Sequence, residues 1–203
     1  MLDRHPGLVV EGCAAGGMRL DHATLATVSI QSLTDQQDDR LIPAVAAAAP
    51  TVTPPEQSAI WAYPQPEFTA ERIAFTMVSA MLGRVHLSGR PDLLDSSQLT
   101  LVAEALEVYK GFRHELSRGL PRWPLGLPGW RDGWLALAVD CETATYLAVW
   151  RRDSAEATRE LPISGDAELL YPGSAEGDWR SDGGCLTVTL PEWSARLFRL
   201  RRS

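Results

Sequence analysis

Between Leu120 and Trp134 the pattern of the chain changes, and that change sets what it can fold into. Upstream, short apolar runs alternate with stretches of helical periodicity. Downstream, short β-branched and aromatic runs follow one another with turn signals between them. The segment itself, LPRWPLGLPGWRDGW, reads as a packed connector rich in Pro, Gly and Trp. Strand, loop and helix in repetition indicate parallel βα units. Many short strands separated by Gly and Pro turns indicate a small antiparallel sandwich. The expectation for these 203 residues is therefore an α/β part followed by an all-β part.

In the first part, Gly7–Glu11 reads as a short buried strand that ends at the small-residue turn Gly12–Gly17. Ala26–Gln31 is β-branched and strand-like, and it runs into the acidic loop Ser32–Asp39. Arg40–Ala49 reads as a helix broken or kinked by Pro43. Thr51–Gln57 reads as a further strand cut off by Pro54 and Pro55. Thr69–Leu82 predicts a largely buried helix with Thr69 as its N-cap. Ser96–Glu115 has the clearest helical periodicity, through Leu99, Val102, Ala103 and Leu106. In the second part, Trp134–Val139 and Thr145–Trp150 predict a hairpin. Thr158–Pro162, Ala167–Tyr171, Cys185–Leu190 and Ala195–Leu200 predict four more strands.

Composition excludes several functions. The net charge of −7 argues against a nucleic-acid partner, which basic patches would serve. No run approaches the roughly 20 apolar residues of a membrane span. The opening MLDRHPGLVV lacks the shape of a signal peptide, so a cytoplasmic location is expected. Cys13, Cys141 and Cys185 are widely spaced and form neither a CxxC pair nor a disulfide framework. No cofactor or metal is expected.

Few residues stand out as chemistry. Asp35, Asp38 and Asp39 lie in the acidic loop at the end of a strand-like segment, where a carboxylate is a candidate acid, base or nucleophile. A solvated turn with Asp35 capping the next helix explains the same spacing. Cys13, Arg19 and Asp21 follow the first strand beside glycines that let a ligand approach the backbone. A tight turn holding a buried cysteine is the alternative there. The histidines are scattered, and Ser88 lacks a nucleophile elbow.

The order of EGCAAGGMRLD, SIQSLTDQQDDRL, PEQSAIWAYP, LGRVHLSG and LPGWRDGWLALAV resembles the carboxyl-terminal half of the family 36 glycoside hydrolases, the bacterial α-galactosidases or melibiases. Glu11–Gly17 resembles the family's Glu-Ser-Cys-Ser-Gly-Gly-Gly-like turn, and Thr34–Asp38 its Ser-Asp-Asx-Thr-Asp-like loop. The resemblance implies the carboxyl-terminal half of a (β/α)8 barrel over residues 1–130 and an antiparallel β domain over 131–203. It implies retaining hydrolysis of terminal α-linked galactose. By that resemblance Asp35 is the catalytic acid/base. Cys13, Ala15, Gly16, Arg19, Asp21 and Asp38 form the substrate-binding set, with Arg19 and Asp21 supporting the turn. The acid must hold its proton near neutral pH, which a second carboxylate nearby favours.

The chain also departs from the family. Gln36 and Gln37 replace the usual residues of the acidic loop, and Ala14 and Ala15 replace Ser-Gly, which would narrow a sugar pocket. The family's Lys-Trp-Asp motif, which bears the nucleophile, is missing, and Lys110 lies in a helix. The expectation is a fragment that is inactive and poorly soluble by itself. Its partners would be a galactoside substrate and either a separate N-terminal half chain or further copies of itself. A different class of function, non-catalytic carbohydrate binding through Trp123, Trp130 and Trp134, would need no nucleophile.

Overall fold

The computed structural model describes residues 2–13, 16–174, 177–182 and 184–201. Four short strands, β1 (Glu11–Gly12), β2 (Ile30–Ser32), β3 (Ser58–Ala62) and β4 (Arg84–Leu87), form one parallel sheet in chain order. The chain passes between them through α1 (His22–Leu25), α2 (Ile42–Ala48) and α3 (Ala70–Met81), and α4 (Ser96–Phe112) follows β4. Thr69 caps α3 by accepting from the Arg72 amide. Asp95 caps α4, and Gln98 completes a reciprocal capping box.

Several upstream boundaries move. The first strand is confined to Glu11–Gly12, and the second starts at Ile30 because Ala26 ends α1. Thr51–Gln57 is no strand. A 3-10 turn spans Ala49–Thr51, and the prolines lead into the strand proper at Ser58. Pro43 does not break its helix. It sits in the first turn of α2, where its missing N–H has no partner to lose.

Strands β5 (Leu120–Arg122), β6 (Trp134–Asp140), β7 (Ala144–Arg151), β8 (Thr158–Pro162), β9 (Ala167–Tyr171), β10 (Asp178–Ser181), β11 (Cys185–Thr189) and β12 (Ser194–Arg201) are antiparallel. They form a five-stranded sheet ordered β5-β6-β7-β12-β9 and a three-stranded sheet ordered β10-β11-β8. The larger sheet is a middle layer. Leu135, Leu137, Tyr146, Ala148, Trp150, Ala195 and Leu197 face the helices, while Ala136, Ala138, Leu147, Val149, Phe198 and Leu200 face the smaller sheet. Burial on both faces explains why WLALAV and TYLAVW are almost continuously apolar.

Helix α3 joins the two parts. It packs on β3 and β4 on one side and on β12 and β7 on the other, and every residue from Ile73 to Met81 is buried. Each large apolar side chain buried this way contributes about 1.5–3 kcal/mol. Some polar atoms in this core find partners, while the buried Thr76 Oγ1 of α3 has none among the described residues. The Trp150 indole donates to Ser79 Oγ at 3.1 Å, and the Tyr171 hydroxyl donates to the Leu101 carbonyl at 3.1 Å. Among the described residues no helix is long and apolar enough to cross a membrane.

The parallel sheet is curled. β1 and β4 are its two edges, and in a flat sheet they would lie about 14 Å apart. Yet His86 Nδ1 on β4 comes within 3.8 Å of Glu11 Oε1 on β1. The face that carries Ile60 and Ala62 packs on the helices. The opposite, concave face carries Glu11, Ser32, Trp61 and His86, which the strand registers place on one side.

Candidate functional site

In parallel α/β sheets, ligands bind beyond the carboxyl ends of the strands. Here the segments leaving β1 and β2 meet at that end. Gly16 (φ +64°) and Gly17 (φ +84°) turn the chain after β1 in the left-handed region that glycine tolerates. They lie directly against the acidic loop. A Cβ on Gly16 would stand 3.4 Å from Asp35 Oδ2 and 3.0 Å from the Asp35 amide, and one on Gly17 would overlap the Leu33 carbonyl. The two glycines thus let the first loop seat itself beside Asp35, which is three residues beyond the end of β2.

The loop that carries Asp35 is tied down by its neighbours. Thr34 Oγ1 accepts from the Gln36 amide, and Gln36 Oε1 accepts from the amides of Gln37 and Asp38. Arg40 holds Asp38 with two bonds of 2.9 Å, which keeps the Asp38 carboxyl below its ordinary range. Arg72 on α3 holds the buried Asp39 with two bonds of 2.7 Å. The next residue toward the helix start, Glu71, receives Arg196 of β12 at 2.8 and 3.0 Å. Among the described residues Asp35 is the carboxylate of this loop that no arginine engages, and its side chain is exposed. Nor does it cap the following helix. The N-cap of α2 is Leu41, which makes no side-chain capping bond.

An aromatic cluster that the sequence reading did not single out stands beside this loop. Trp61 donates its indole N–H to Ser32 Oγ at 2.9 Å, meets His86 edge-on at 4.8 Å and stacks with Tyr63 at 6.1 Å. Burial, and then the negative charge of Asp35, hold the Tyr63 phenol above its ordinary range. The signal was the period-two alternation of SAIWAY, hidden because the strand was placed before the prolines rather than after them.

The other predicted residues separate. Cys13 is exposed and unpaired in a disulfide, directly after β1. Arg19 is exposed. Asp21 is the N-cap of α1, accepting from the Thr24 amide and hydroxyl at 3.0 and 2.8 Å, and the amide bond lowers its carboxyl pKa. Ala15 lies outside the described residues. Among the described residues no three His, Cys, Asp or Glu side chains cluster so as to hold a metal ion. Of the tryptophans named for sugar binding, Trp134 is buried with its indole on the Glu156 carbonyl, Trp123 donates to the Ala47 carbonyl, and Trp130 is exposed.

No protein-family model matches the sequence, and no curated protein matches it. Solved structures do match the fold. The galactosidase domain of the α-galactosidase-sucrose kinase AgaSK aligns with 100% of this chain at a TM-score of 0.75 and 20% identity. The GH36 α-galactosidase AgaA from Geobacillus stearothermophilus aligns with 100% of the chain at 0.75 and 18% identity, and one AgaA variant was solved in complex with raffinose. The α-galactosidase from Lactobacillus brevis aligns with 98% of the chain at 0.76 and 12% identity. In each case the chain covers 30% of the other protein's length. The fold of this chain is similar to that of the stretch it covers in the family 36 glycoside hydrolases.

Proposed function

We propose that this chain is the carboxyl-terminal part of a retaining α-galactosidase of family 36, with Asp35 as the acid/base and the nucleophile on a part of the enzyme that these residues do not include. The curled sheet β1–β4 is then the second half of a (β/α)8 barrel over residues 1–130, followed by the antiparallel domain over 131–203. Active sites of such barrels lie at the carboxyl ends of the strands. The observation that carries the reading is which carboxylates of the acidic loop are paired with arginine among the described residues. Arg40 and Arg72 neutralise Asp38 and Asp39, and Asp35 is left free beside Gly16 at the end of β2.

The chemistry follows from a pair of carboxyl groups about 5–5.5 Å apart. The nucleophile attacks the anomeric carbon while Asp35 gives its proton to the leaving oxygen, so the glycosidic bond breaks and a galactosyl ester forms. Asp35, now a carboxylate, takes a proton from water as that water attacks the same carbon and releases the ester. Cys13 and Gly16 would line the sugar, and Arg19 would support the turn together with Asp21, the cap of α1. Asp38 is committed to Arg40, so its part in substrate binding runs through the shape of the loop. The substrates are α-galactosides such as raffinose.

The test is complementation. The purified chain alone should leave a nitrophenyl α-galactoside intact, and adding a polypeptide that supplies the first four strands and the Lys-Trp-Asp motif of a family 36 enzyme should restore hydrolysis. Robust turnover by the chain alone, or none after a stable complex has formed, would refute the proposal.

A further inference from the structure

Among the described residues the outer edges of β1 and β4 have no strand partner, and these two edges fit each other. Val10 and Gly12 turn their backbone groups toward β2, so those of Glu11 and Cys13 point outward. On the other edge Ser88 donates to the Ala62 carbonyl, so His86 also faces β3, and Val85 and Leu87 point outward. Below them the Tyr109 hydroxyl already occupies the Gly83 carbonyl. Unpaired strand edges of this kind seek a partner.

We propose that two copies of this chain pair edge to edge, β4 of each beside β1 of the other, into a closed eight-stranded parallel barrel. The inference rests on the half-barrel reading above. The sheet supplies four strands in order, so a two-fold axis along the barrel closes the ring with two identical seams. Backbone polarity sets the seam: the partner's Glu11 amide donates to the Val85 carbonyl, and the Leu87 amide donates to the partner's Glu11 carbonyl. His86 and the partner's Glu11 then lie opposite each other, both on the concave face.

Barrel geometry selects the same register independently. Following strand partners from Glu11 through Ile30 and Gln57 leads to Leu82, and His86 lies four residues further on. Two such offsets give the shear of about 8 that (β/α)8 barrels have. The seam also brings polar side chains together. Each His86 imidazole, already 3.8 Å from its own Glu11 carboxylate, gains the partner's Glu11 on its other side, and the acids and imidazoles alternate around the interior.

Sedimentation velocity of the purified chain should show a species of twice the chain mass across the micromolar range. Leu87→Pro, which removes the β4 donor from each of the two seams, should shift it to the monomer with an unchanged circular dichroism spectrum. Ser88→Cys provides a second readout that does not depend on weakening the fold. It lies opposite the partner's Cys13, at a strand spacing of about 4.8 Å that permits a disulfide, so oxidation should give a covalent dimer on a non-reducing gel. A monomeric wild-type chain, or a dimer that Leu87→Pro leaves intact and Ser88→Cys does not cross-link, overturns the proposal. If complementation restores hydrolysis while the chain alone stays monomeric, self-pairing fails and the glycosidase reading stands. A cross-linked dimer without hydrolysis on complementation gives the reverse.

Discussion

Asp35→Asn should lower the turnover of raffinose by about 10²–10⁴-fold in the enzyme assembled from this chain and its complementary part, the range expected for removing a general acid/base. An amide keeps the volume and loses the proton transfer. The drop should be much smaller at the first step for a nitrophenyl galactoside, whose leaving group departs without protonation. The second step still lacks its base, so the galactosyl ester should accumulate. Azide, which needs no base to attack, should then restore turnover of Asp35→Ala and yield the α-galactosyl azide, because two displacements retain configuration. A β-galactosyl azide would make Asp35 the nucleophile instead. The assignment matters because the loop holds three aspartates. Asp38 and Asp39 are held by Arg40 and Arg72, and replacing either would first disturb the loop.

Arg196→Met should destabilise the chain by about 3 kcal/mol, the lower end for breaking a buried ion pair. That corresponds to a fall in Tm on the order of 10 °C for a chain of this size. Arg196 is 2% exposed and Glu71 15%, so the carboxylate left behind would be poorly hydrated. Adding Glu71→Gln should return part of the loss, since a neutral amide is easier to bury than a carboxylate that has lost Arg196. Differential scanning calorimetry of the two variants measures this. No recovery in the double variant would mean that Arg196 acts through packing alone. The pair also bears on the site. Glu71 and Arg72 are consecutive in the first turn of α3, and they join β12 to the loop that carries Asp35. In the complemented enzyme Arg196→Met should therefore lower kcat as well as stability.

The parts of the fold that the sequence revealed are those governed by local rules. Thr69 announces its helix because capping is decided within one turn, and the spacing of Leu99, Val102, Ala103 and Leu106 marks α4, whose cap Asp95 the structure supplies. Strands β8 and β9 coincide with their expected spans because turns at Ser164–Asp166 and Pro172–Gly173 bound β9 and the chain between them is short. The upstream strands were harder to read. They are two to five residues long, too short for a periodicity to establish itself, and β3 was misplaced by prolines that lead into a strand instead of ending one. The geometry of the site was less legible still. Glu11 and His86 meet across 75 positions of sequence, and Asp39 finds Arg72 33 residues away. Nothing local in either segment announces such a pairing. Asp35 stood out as a candidate through the likeness of Thr34–Asp38 to a family loop, whereas the lack of an arginine partner for it among the described residues needed the structure.

Mass spectrometry after reaction with a 2-deoxy-2-fluorogalactosyl fluoride tests the division of labour most directly. This reagent traps the covalent intermediate on whichever carboxylate attacks the anomeric carbon. In the complemented enzyme the fluorogalactosyl adduct should appear on the aspartate of the other polypeptide's Lys-Trp-Asp motif, and the mass of this chain should stay unchanged. An adduct on Asp35, or anywhere else in these 203 residues, would contradict the account.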